Sequence, residues 1–400
     1  MHTPELLAPA GNMNKLRFAL AYGADAVYLA GDRFGLRAYA DNFDADGLAR
    51  AAVYVHERGK KLYVTVNIYA DEDDIAALPE YARLIADVGA DGAIVSDLGV
   101  FSVFRKYAPE VDLHVSTQAN VTNGAAARAW ADMGAKRIIL ARETTLKDIR
   151  RIRDALPDDV DIEAFVHGAM CIAYSGRCLL SAYFTGRSGN KGECTQCCRW
   201  EYGLTELSRG ETLPVAQDAR GTYILSGRDL RMIAHLRELV DAGVTSMKIE
   251  GRVKSEYYVA GAVGAYRRAL DDVMAGRPFD ESLLAETEKI SHRGYTTGFY
   301  LGEKGGATNE PRPTATHTFV ALALGHENGR ARVEMRNRFS VGDVLEVLSP
   351  SEISGKTLTV TEITGEEGNV MTADKVQAIY SLRTDLPLEK YDILRKKRET

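Results

Sequence analysis

The cysteines are the residues whose type and spacing most clearly indicate chemistry. All five lie between positions 171 and 198 of a 400-residue chain. They are Cys171, Cys178, Cys194, Cys197 and Cys198. Thiolates are preferred ligands of zinc and of iron–sulfur clusters, so we expect this segment to bind a metal centre. Structural zinc sites usually carry two short Cys-x-x-Cys pairs, whereas this segment has one, and the spacing therefore favours an iron–sulfur cluster.

Disulfides and buried inert thiols are the alternative explanations of these cysteines. The first residues lack the basic and apolar segments of a signal peptide, and no apolar run has the roughly 18 residues that suggest a membrane span. We therefore expect a cytoplasmic protein with no membrane contact, whose thiols stay reduced. The odd cysteine count also argues against complete pairing. Inert core cysteines would explain one or two positions but not the clustering.

The overall composition is that of a soluble globular protein, with 45% hydrophobic and 26% charged residues. The formal net charge of −6 does not indicate a chain that binds nucleic acid with its whole surface. The segment from residue 164 to residue 200 differs, because it contains a single acidic residue. Its basic residues are Arg177, Arg187, Lys191 and Arg199. This excess is compatible with an anionic substrate and equally with a solvated loop.

Short apolar runs alternate with stretches of helical periodicity as far as Gly251. Nearly continuous apolar runs are typical of strands buried on both faces of a parallel sheet. The runs are Glu5–Gly11, Ala26–Gly31, Leu62–Asn67, Gly92–Asp97, Leu113–Gln118, Arg137–Arg142, Ile162–Gly168 and Ser246–Gly251. A doubly wound sheet would carry a glycine-rich phosphate loop after its first strand, and APAGNMNK lacks one. The pattern predicts an α/β fold, a TIM barrel over residues 1–305.

Polar residues follow these runs at the ends where a TIM barrel places its chemistry. They are Asn67, Ser96, Asp97, Ser116, Gln118, Glu143, His167, Lys248, Glu250 and Arg252. Some are expected only to cap the following helices. The predicted loop after the seventh strand, residues 169–226, holds every cysteine, and long loops at this end of a barrel are usually functional. We expect the thiols to lie over the mouth of the barrel.

The C-terminal quarter of the chain has a different pattern. Residues 306–314 are rich in Gly, Pro and Thr and predict a linker. The strand-like runs beyond them predict a small β-barrel domain over residues 315–400. One run places Arg330, Arg332 and Arg336 on one face, and the tail adds the basic run Arg395–Arg398. These residues indicate either a solvated outer face or a surface that contacts phosphates.

Several phrases of the sequence resemble one protein family. The stretch EAFVHGAMCIAYSGRCLLS, residues 163–181, resembles the signature of the collagenase-like peptidase family U-32. Other family-like phrases occur in family order, among them ELLAPAGN, LHVSTQANVTN, NKGECTQCCRWEY, KIEGRVKSEYYV and RGYTTGFY. Together they cover most of the chain. The resemblance implies the same barrel fold.

The resemblance also implies a cluster-dependent hydroxylation protein, because characterised members of the family act in hydroxylation. One branch makes 5-hydroxyuridine at the wobble position of tRNA, one member is a longer ribosomal-RNA cytidine hydroxylase, and a shorter pair acts in anaerobic ubiquinone biosynthesis. A barrel with one small β-domain resembles the tRNA branch. By this resemblance a 4Fe–4S cluster is bound by Cys171, Cys178, Cys194 and Cys198. Cys197 is then spare, since the family often has proline there.

The resemblance to the tRNA branch further implies prephenate as the source of the hydroxyl group. Prephenate is a dicarboxylate, which Arg177, Lys248 or Arg252 would hold by charge-assisted hydrogen bonds. Glu163 and His167, expected at the end of the seventh strand, are acid–base candidates, or else a supporting carboxylate and a structural histidine. The full set of catalytic candidates is Glu163, His167, Lys248, Glu250 and Arg252. The substrate-binding candidates are Asn67, Gln118, Arg177 and Arg187.

The expected partner is the anticodon stem-loop of tRNA. In this hypothesis the β-domain and the basic tail contact phosphates, while an unstacked loop base enters the barrel mouth. The sequence identifies neither the electron donor nor a partner subunit, and it leaves a homo- or hetero-oligomer open.

Three other functions fit parts of the sequence. A peptidase would need machinery such as HExxH or GxSxG, which is absent, or a cysteine paired with His167, which leaves the other thiols unexplained. Lys248, near the end of the eighth predicted strand, suits a Schiff-base aldolase. A metal-stabilised RNA-binding scaffold that needs a partner for chemistry is the non-catalytic alternative.

Overall fold

The computed structural model describes residues 3–36, 41–171, 173–200, 227–302 and 313–398, and the backbone of four short strands between residues 204 and 222. Most of the predicted linker, residues 306–314, and part of the predicted loop, residues 169–226, lie outside these residues.

Eight parallel strands form the closed barrel that the apolar runs predict. The first seven are β1 (Glu5–Pro9), β2 (Ala26–Leu29), β3 (Lys61–Val66), β4 (Gly92–Val95), β5 (Asp112–Val115), β6 (Arg137–Ile139) and β7 (Asp161–Ala169). Four short strands of the insertion follow, β8 (Leu204–Glu206), β9 (Glu211–Leu213), β10 (Gln217–Asp218) and β11 (Gly221–Thr222). After β12 (Asp229–Arg231), the eighth barrel strand is β13 (Ser246–Ile249). Ser246 lies opposite Glu163 on β7 and Glu5 on β1, which closes the barrel.

Helices cover the outside of the barrel, as the alternating pattern predicts. They are α1 (Met13–Ala21), α2 (Ala45–His56), α3 (Glu72–Asp87), α4 (Leu98–Tyr107), α5 (Gly124–Asp132), α6 (Leu146–Ala155), α8 (Leu236–Asp241), α9 (Glu256–Met274) and α10 (Ser282–Glu288), whereas α7 (Leu180–Thr185) belongs to the insertion after β7. Side chains cap several of their first turns, with a full capping box at Asp71 before α3. Gly23 and Gly243 end helices in left-handed backbone, with φ of +99° and +96°, which explains the glycine before each strand.

The return of the chain from the insertion differs from the sequence pattern. Residues 228–242 have helical periodicity, but β12 pairs antiparallel with β7, with Leu230 opposite Gly168, before α8 begins at Leu236. Strand β14 (Tyr295–Thr296) then pairs with β12 and extends the barrel sheet. The residues that follow the insertion are therefore fixed to the strand that precedes it.

The second domain is an antiparallel half-barrel. Its strands are β15 (His317–Glu327), β16 (Arg330–Met335), β17 (Phe339–Ser340), β18 (Val344–Leu348), β19 (Thr357–Thr359), β20 (Ile363–Gly365), β21 (Gly368–Val370), β22 (Thr372–Ala373), β23 (Ile379–Arg383) and β24 (Ile393–Lys397). The main sheet has the order β19-β18-β24-β15-β16-β23-β20-β21. The alternation predicted for β16 is observed, since Ala331, Val333 and Met335 are buried.

The half-barrel packs on the helices of the barrel. Leu322, Leu348 and Ile393 belong to the same hydrophobic core as the barrel. Tyr22 of α1 donates a hydrogen bond to the carbonyl of Leu348 at 2.9 Å, and the ring of Tyr257 stacks on Phe319 with centroids 5.5 Å apart. Apolar burial of this kind stabilises a fixed arrangement of the two domains.

Candidate active site

A cavity of about 90 Å³ opens at the carboxyl ends of the barrel strands. Five of the predicted site residues line it: Asn67, Gln118, Lys248, Glu250 and Arg252. Asn67 follows β3, Gln118 follows β5, and the other three lie on β13 or directly after it, so closure of the barrel brings three parts of the chain together. This is the end at which TIM-barrel enzymes hold their substrates. We call this cavity the mouth pocket.

Cationic groups dominate the charge of the mouth pocket. Lys248 Nζ is buried and lies 4.4 Å from the centre of the Tyr28 ring. Arg142 also lines the pocket, 4.2 Å from the centre of the Phe165 ring, and its Nη2 lies 3.7 Å from Glu250 Oε2. Arg252 is buried in the same wall. A guanidinium group held on an aromatic face, like that of Arg142, is suited to bind a carboxylate in a bidentate way.

The sequence pattern predicts that Glu163 lies at the end of the seventh strand, and this prediction is wrong. Glu163 is the third residue of β7, and its side chain is fully buried inside the barrel. Its Oε1 accepts a hydrogen bond from Lys248 Nζ at 2.7 Å, and its Oε2 lies 3.2 Å from Arg137 Nη1. Since the carboxylate has two cations as partners, we assign it the supporting role: it fixes the ammonium of Lys248 below the mouth pocket.

His167 lies near the end of β7, but its side chain does not reach the mouth pocket. It is buried among aromatic rings, with the centres of Tyr258, Tyr266 and Tyr295 at 5.8, 5.3 and 5.7 Å. Burial, assisted by the charge of Arg231, lowers the pKa of His167 to about 3. The histidine is therefore neutral at physiological pH. This position corrects the sequence-based placement and favours the structural alternative.

The cysteine-bearing segment, residues 171–200, is fixed to the rim of the mouth pocket. Ser175 donates from its backbone N and its Oγ to the carboxylate of Glu143, each at 3.0 Å. Tyr69 Oη donates to the carbonyl oxygens of Gln118 at 2.7 Å and Gly176 at 3.0 Å. A Cβ at Gly176 would lie 2.0 Å from the Gln118 oxygen, so this close approach requires glycine. We call residues 171–200 the cysteine loop.

The thiols of the cysteine loop differ in exposure. Cys171 and Cys194 are exposed, Cys178 and Cys198 are half-buried, and Cys197 is buried. Burial raises the pKa of the Cys178 thiol, and negative charge on Cys171 and Cys194 raises it as well. Among the residues that the structure describes, no three His, Cys, Asp or Glu side chains are grouped so that they could hold a metal ion. Four thiols within one loop are nevertheless the type of ligand that an iron–sulfur cluster takes.

Two predicted substrate-binding residues, Arg177 and Arg187, lie on the cysteine loop and not among the residues that line the mouth pocket. Arg177 is exposed, and its charge opposes the rise in pKa that burial causes at Tyr69 on the rim. Arg187 is half-buried. Both positions suit contact with a large substrate outside the pocket more than with a small one inside it.

The sequence analysis missed Arg142 and Tyr69 as site residues. Arg142 ends the apolar run RIILAR, so its place after β6 was a usable signal. Tyr69 follows Asn67 by two residues, but its contact with Gly176 joins positions more than 100 residues apart and leaves no local pattern. The partner of Glu143, Ser175, is hidden for the same reason.

Several basic residues of the half-barrel are in ion pairs. Arg330 contacts Glu362 at 2.9 Å, and Arg336 contacts Glu256 of α9 at 3.1 Å. Arg395 is buried and contacts Glu286 and Glu346, each at 2.5 Å. This corrects the interpretation of Arg395 as part of a basic tail that contacts phosphates, because its guanidinium joins the half-barrel to α10.

None of the helices in the described part of the chain is long and apolar enough to cross a membrane.

Comparison with known protein families gives two adjacent matches. The model of peptidase family U32 matches residues 11–310, and that of the peptidase family U32 C-terminal domain matches residues 315–395. The boundary between the two matches falls where the barrel gives way to the half-barrel.

Curated relatives of this chain carry different functional names. The chain is 40% identical to tRNA hydroxylation protein P of Escherichia coli, covering 88% of this chain and 87% of the relative. It is 36% identical to the 23S rRNA 5-hydroxycytidine C2501 synthase of the same organism, covering 97% of this chain and 59% of that longer protein. It is 31% identical to a protein named Collagenase from Porphyromonas gingivalis, covering 94% of this chain and 93% of the relative.

Proposed function

The chain belongs to peptidase family U32, and from this premise we propose that it hydroxylates RNA, with C5 of the wobble uridine of tRNA as the target. The observation that carries the proposal is the mouth pocket, where Arg142, Lys248 and Arg252 gather under the rim to which the cysteine loop is tied. Relatives named for hydroxylation of tRNA and of ribosomal RNA support it. The tRNA target is favoured because the chain spans most of the tRNA protein and 59% of the rRNA enzyme.

Hydroxylation of uracil at C5 requires both a source of the hydroxyl group and an acceptor for electrons. Replacing the C5–H bond of uracil with C5–OH removes one proton and two electrons from the base. If a co-substrate supplies the hydroxyl as hydroxide, an electron acceptor must take the two electrons. Over the whole hydroxylation, the electron-transfer partner therefore accepts the two electrons that the base loses. It would donate electrons only to an oxidised intermediate that must be reduced before the reaction proceeds.

The mouth pocket is suited to bind prephenate as the hydroxyl source. A dicarboxylate needs two cationic contacts that stay charged, and Arg142 and Arg252 provide guanidinium groups in the wall of the pocket. Lys248 lies deeper, held by Glu163. Asn67 and Gln118 add amide groups that can orient a hydroxyl or a carbonyl of the ligand. Glu250, near Arg142, is the remaining candidate for proton transfer at the pocket wall.

The cysteine loop is suited to hold a 4Fe–4S cluster through Cys171, Cys178, Cys194 and Cys198. A cluster bound there would supply one-electron transfer beside the mouth pocket. Cys197 is the spare thiol in this proposal, consistent with its burial.

Metal and nucleoside analysis tests the proposal directly. Protein purified without oxygen should contain iron and sulfide in equal amounts of about four per chain, as expected for a 4Fe–4S cluster. Transfer RNA from a strain lacking the gene should lack 5-hydroxyuridine and regain it with the intact gene. An Arg252→Ala variant should fail to restore the nucleoside while retaining iron. Zinc without sulfide, or an unchanged tRNA profile, would contradict the proposal.

Peptidase activity is the second candidate, favoured by the relative named Collagenase and by a relative named as an uncharacterized protease. Within the described residues His167 is buried among the rings of Tyr258, Tyr266 and Tyr295, and this burial does not favour the cysteine–histidine pair that the sequence offered. Release of peptides from gelatin by metal-free protein, abolished in a Cys178→Ala variant, would revive this function.

A further inference from the structure

The strongly exposed aromatic side chains of the described residues all belong to the cysteine loop. They are Tyr174, Tyr183, Phe184 and Trp200, and Tyr183 has 83% of its surface exposed. Leu179, also exposed, lies beside them. In the rest of the described chain the exposed large apolar residues are aliphatic. Soluble proteins seldom expose grouped aromatic rings unless the rings have a binding role.

Hydrogen bonds hold these rings on a shaped surface. The backbone N of Arg177 donates to the backbone carbonyl oxygen of Tyr174 at 2.9 Å. This hydrogen bond closes a turn that carries an exposed aromatic residue and an exposed arginine. Tyr183 and Phe184 are neighbours on α7, with ring centres 5.3 Å apart. The backbone N of Thr195 donates to Ser181 Oγ at 3.1 Å, which ties α7 to the segment that ends at Trp200. The rings are thus presented by a fixed scaffold.

This surface adjoins the mouth pocket. Tyr69 joins Gly176 of the cysteine loop to Gln118, which lines the pocket. The loop that carries the aromatic rings is therefore fixed at Gly176 to the rim of the pocket, where a small group can enter. The exposed Arg177 and the half-buried Arg187 give the surface positive charge, which complements a polyanion.

We propose that Tyr183, Phe184 and Trp200 form a stacking platform for unpaired bases of the RNA loop whose target base enters the mouth pocket. This inference rests on the proposed function and assigns RNA-binding residues within it. Aromatic rings bind any base by its face, and basic residues between them bind phosphates, which is how proteins hold single-stranded nucleic acid. The platform would hold the bases that flank the target, and it would favour a loop over a paired stem.

Binding of two synthetic RNAs tests the platform. One is an unmodified anticodon stem-loop, and the other is a fully paired hairpin of equal length. A Tyr183→Ala/Phe184→Ala variant should bind the stem-loop about tenfold more weakly, in the range expected for lost stacking. Its affinity for the paired hairpin and the dependence of its affinity on salt should not change, since no phosphate contact is removed. Iron content should equal that of the wild type, which verifies that the loop is intact.

Matched variants separate stacking from other uses of an apolar surface. Tyr183→Phe keeps the ring and should bind like the wild type, whereas Tyr183→Leu keeps apolar bulk only and should bind more weakly. Met371→Ala/Ile379→Ala removes exposed apolar residues of the half-barrel and should leave RNA affinity unchanged. Equal affinities of the wild type and the alanine variant would overturn the platform.

Two further outcomes have distinct meanings. A platform that instead docks a second copy of the chain or another protein would appear as a change of oligomeric state in the alanine variant, with RNA affinity preserved, and would overturn the inference. If the wild type and the Tyr183→Ala/Phe184→Ala variant form 5-hydroxyuridine equally well when RNA is scarce, the proposed function stands and the platform is wrong. If the wild type itself forms no 5-hydroxyuridine, the proposed function is wrong, and the platform, which rests on it, is wrong as well.

Discussion

The cysteine loop and the half-barrel both carry clustered basic residues, but the structure uses their charges differently. On the half-barrel, Arg330, Arg336 and Arg395 are paired with carboxylates, and Arg395 is buried. On the cysteine loop, Lys191 is also paired, with Asp71 and Asp74, but Arg177 is exposed in the turn that begins at the exposed Tyr174. The comparison teaches that a basic run in a sequence counts as a binding surface only after the carboxylates that neutralise it have been found.

The largest expected effect comes from substitution of the thiols. These variants test whether the cysteine loop is a chemical centre, in contrast to the half-barrel, which acts as a support. Cys171→Ala and Cys198→Ala should each lose nearly all iron and sulfide and abolish 5-hydroxyuridine formation, since each removes a proposed ligand. Cys197→Ala should retain both. Iron and sulfide assays on the three variants measure this. Loss of iron in Cys197→Ala with retention in Cys198→Ala would exchange the roles of the two adjacent thiols.

The second effect concerns stability and tests the half-barrel as a docked support. Arg395→Ala leaves Glu286 and Glu346 without their buried partner and should lower the free energy of unfolding by about 3 kcal/mol. Lys396→Ala removes a more exposed contact with Asp343 and should cost less than about 1 kcal/mol. Urea unfolding monitored by fluorescence measures both. Equal losses in the two variants would show that the Arg395 pair is not the main electrostatic link between the domains.

The third effect extends the comparison to β7, the strand that leads into the cysteine loop. The pKa of His167 falls from about 6.5 unfolded to about 3 folded, so between these values the unfolded chain binds the extra proton. Stability is therefore fully present above about pH 6.5 and declines as the pH falls towards 3. His167 alone should account for about 1 kcal/mol between pH 7 and pH 5.5.

A His167→Phe variant measures this contribution, because phenylalanine fills the same aromatic box without titrating. The free energy of unfolding of the variant should depend less on pH than that of the wild type, by the stated amount. The remaining pH dependence includes His114, whose pKa burial also lowers, and it serves as the internal reference. Identical pH profiles would mean that the imidazole of His167 reaches solvent.

The smallest expected effect distinguishes the two basic surfaces directly. Arg332 and Arg338 are exposed on the half-barrel, and a variant with alanine at both should bind every RNA about threefold more weakly and show a reduced salt dependence. Arg177→Ala should weaken binding of the anticodon stem-loop more than binding of a paired hairpin. Fluorescence anisotropy at several salt concentrations measures both. A larger loss of stem-loop selectivity from the half-barrel variant would reverse the roles assigned to the two surfaces.

Much of the fold was predictable because it depends on local patterns. Continuous apolar runs such as those of β1 and β13 indicate strands buried on both faces, and glycines such as Gly23 mark helix ends. The alternation along β16 indicated a strand with one buried face. Within residues 228–242 the helical pattern is confirmed from Ile233 to Asp241 but is wrong at Asp229–Arg231, because β12 pairs with β7 through long-range hydrogen bonds.

The sequence by itself determined the barrel strands, the grouping of the thiols, and the residues that follow the strands into the mouth pocket. These depend on side-chain type and on spacing of a few residues. Only the tertiary structure decided that Glu163 holds Lys248 inside the barrel, that His167 faces aromatic rings, and that Arg395 is buried. Each of these outcomes depends on partners distant along the chain, because burial and charge pairing are set by which surfaces meet when the strands close into the barrel and the half-barrel docks on its helices.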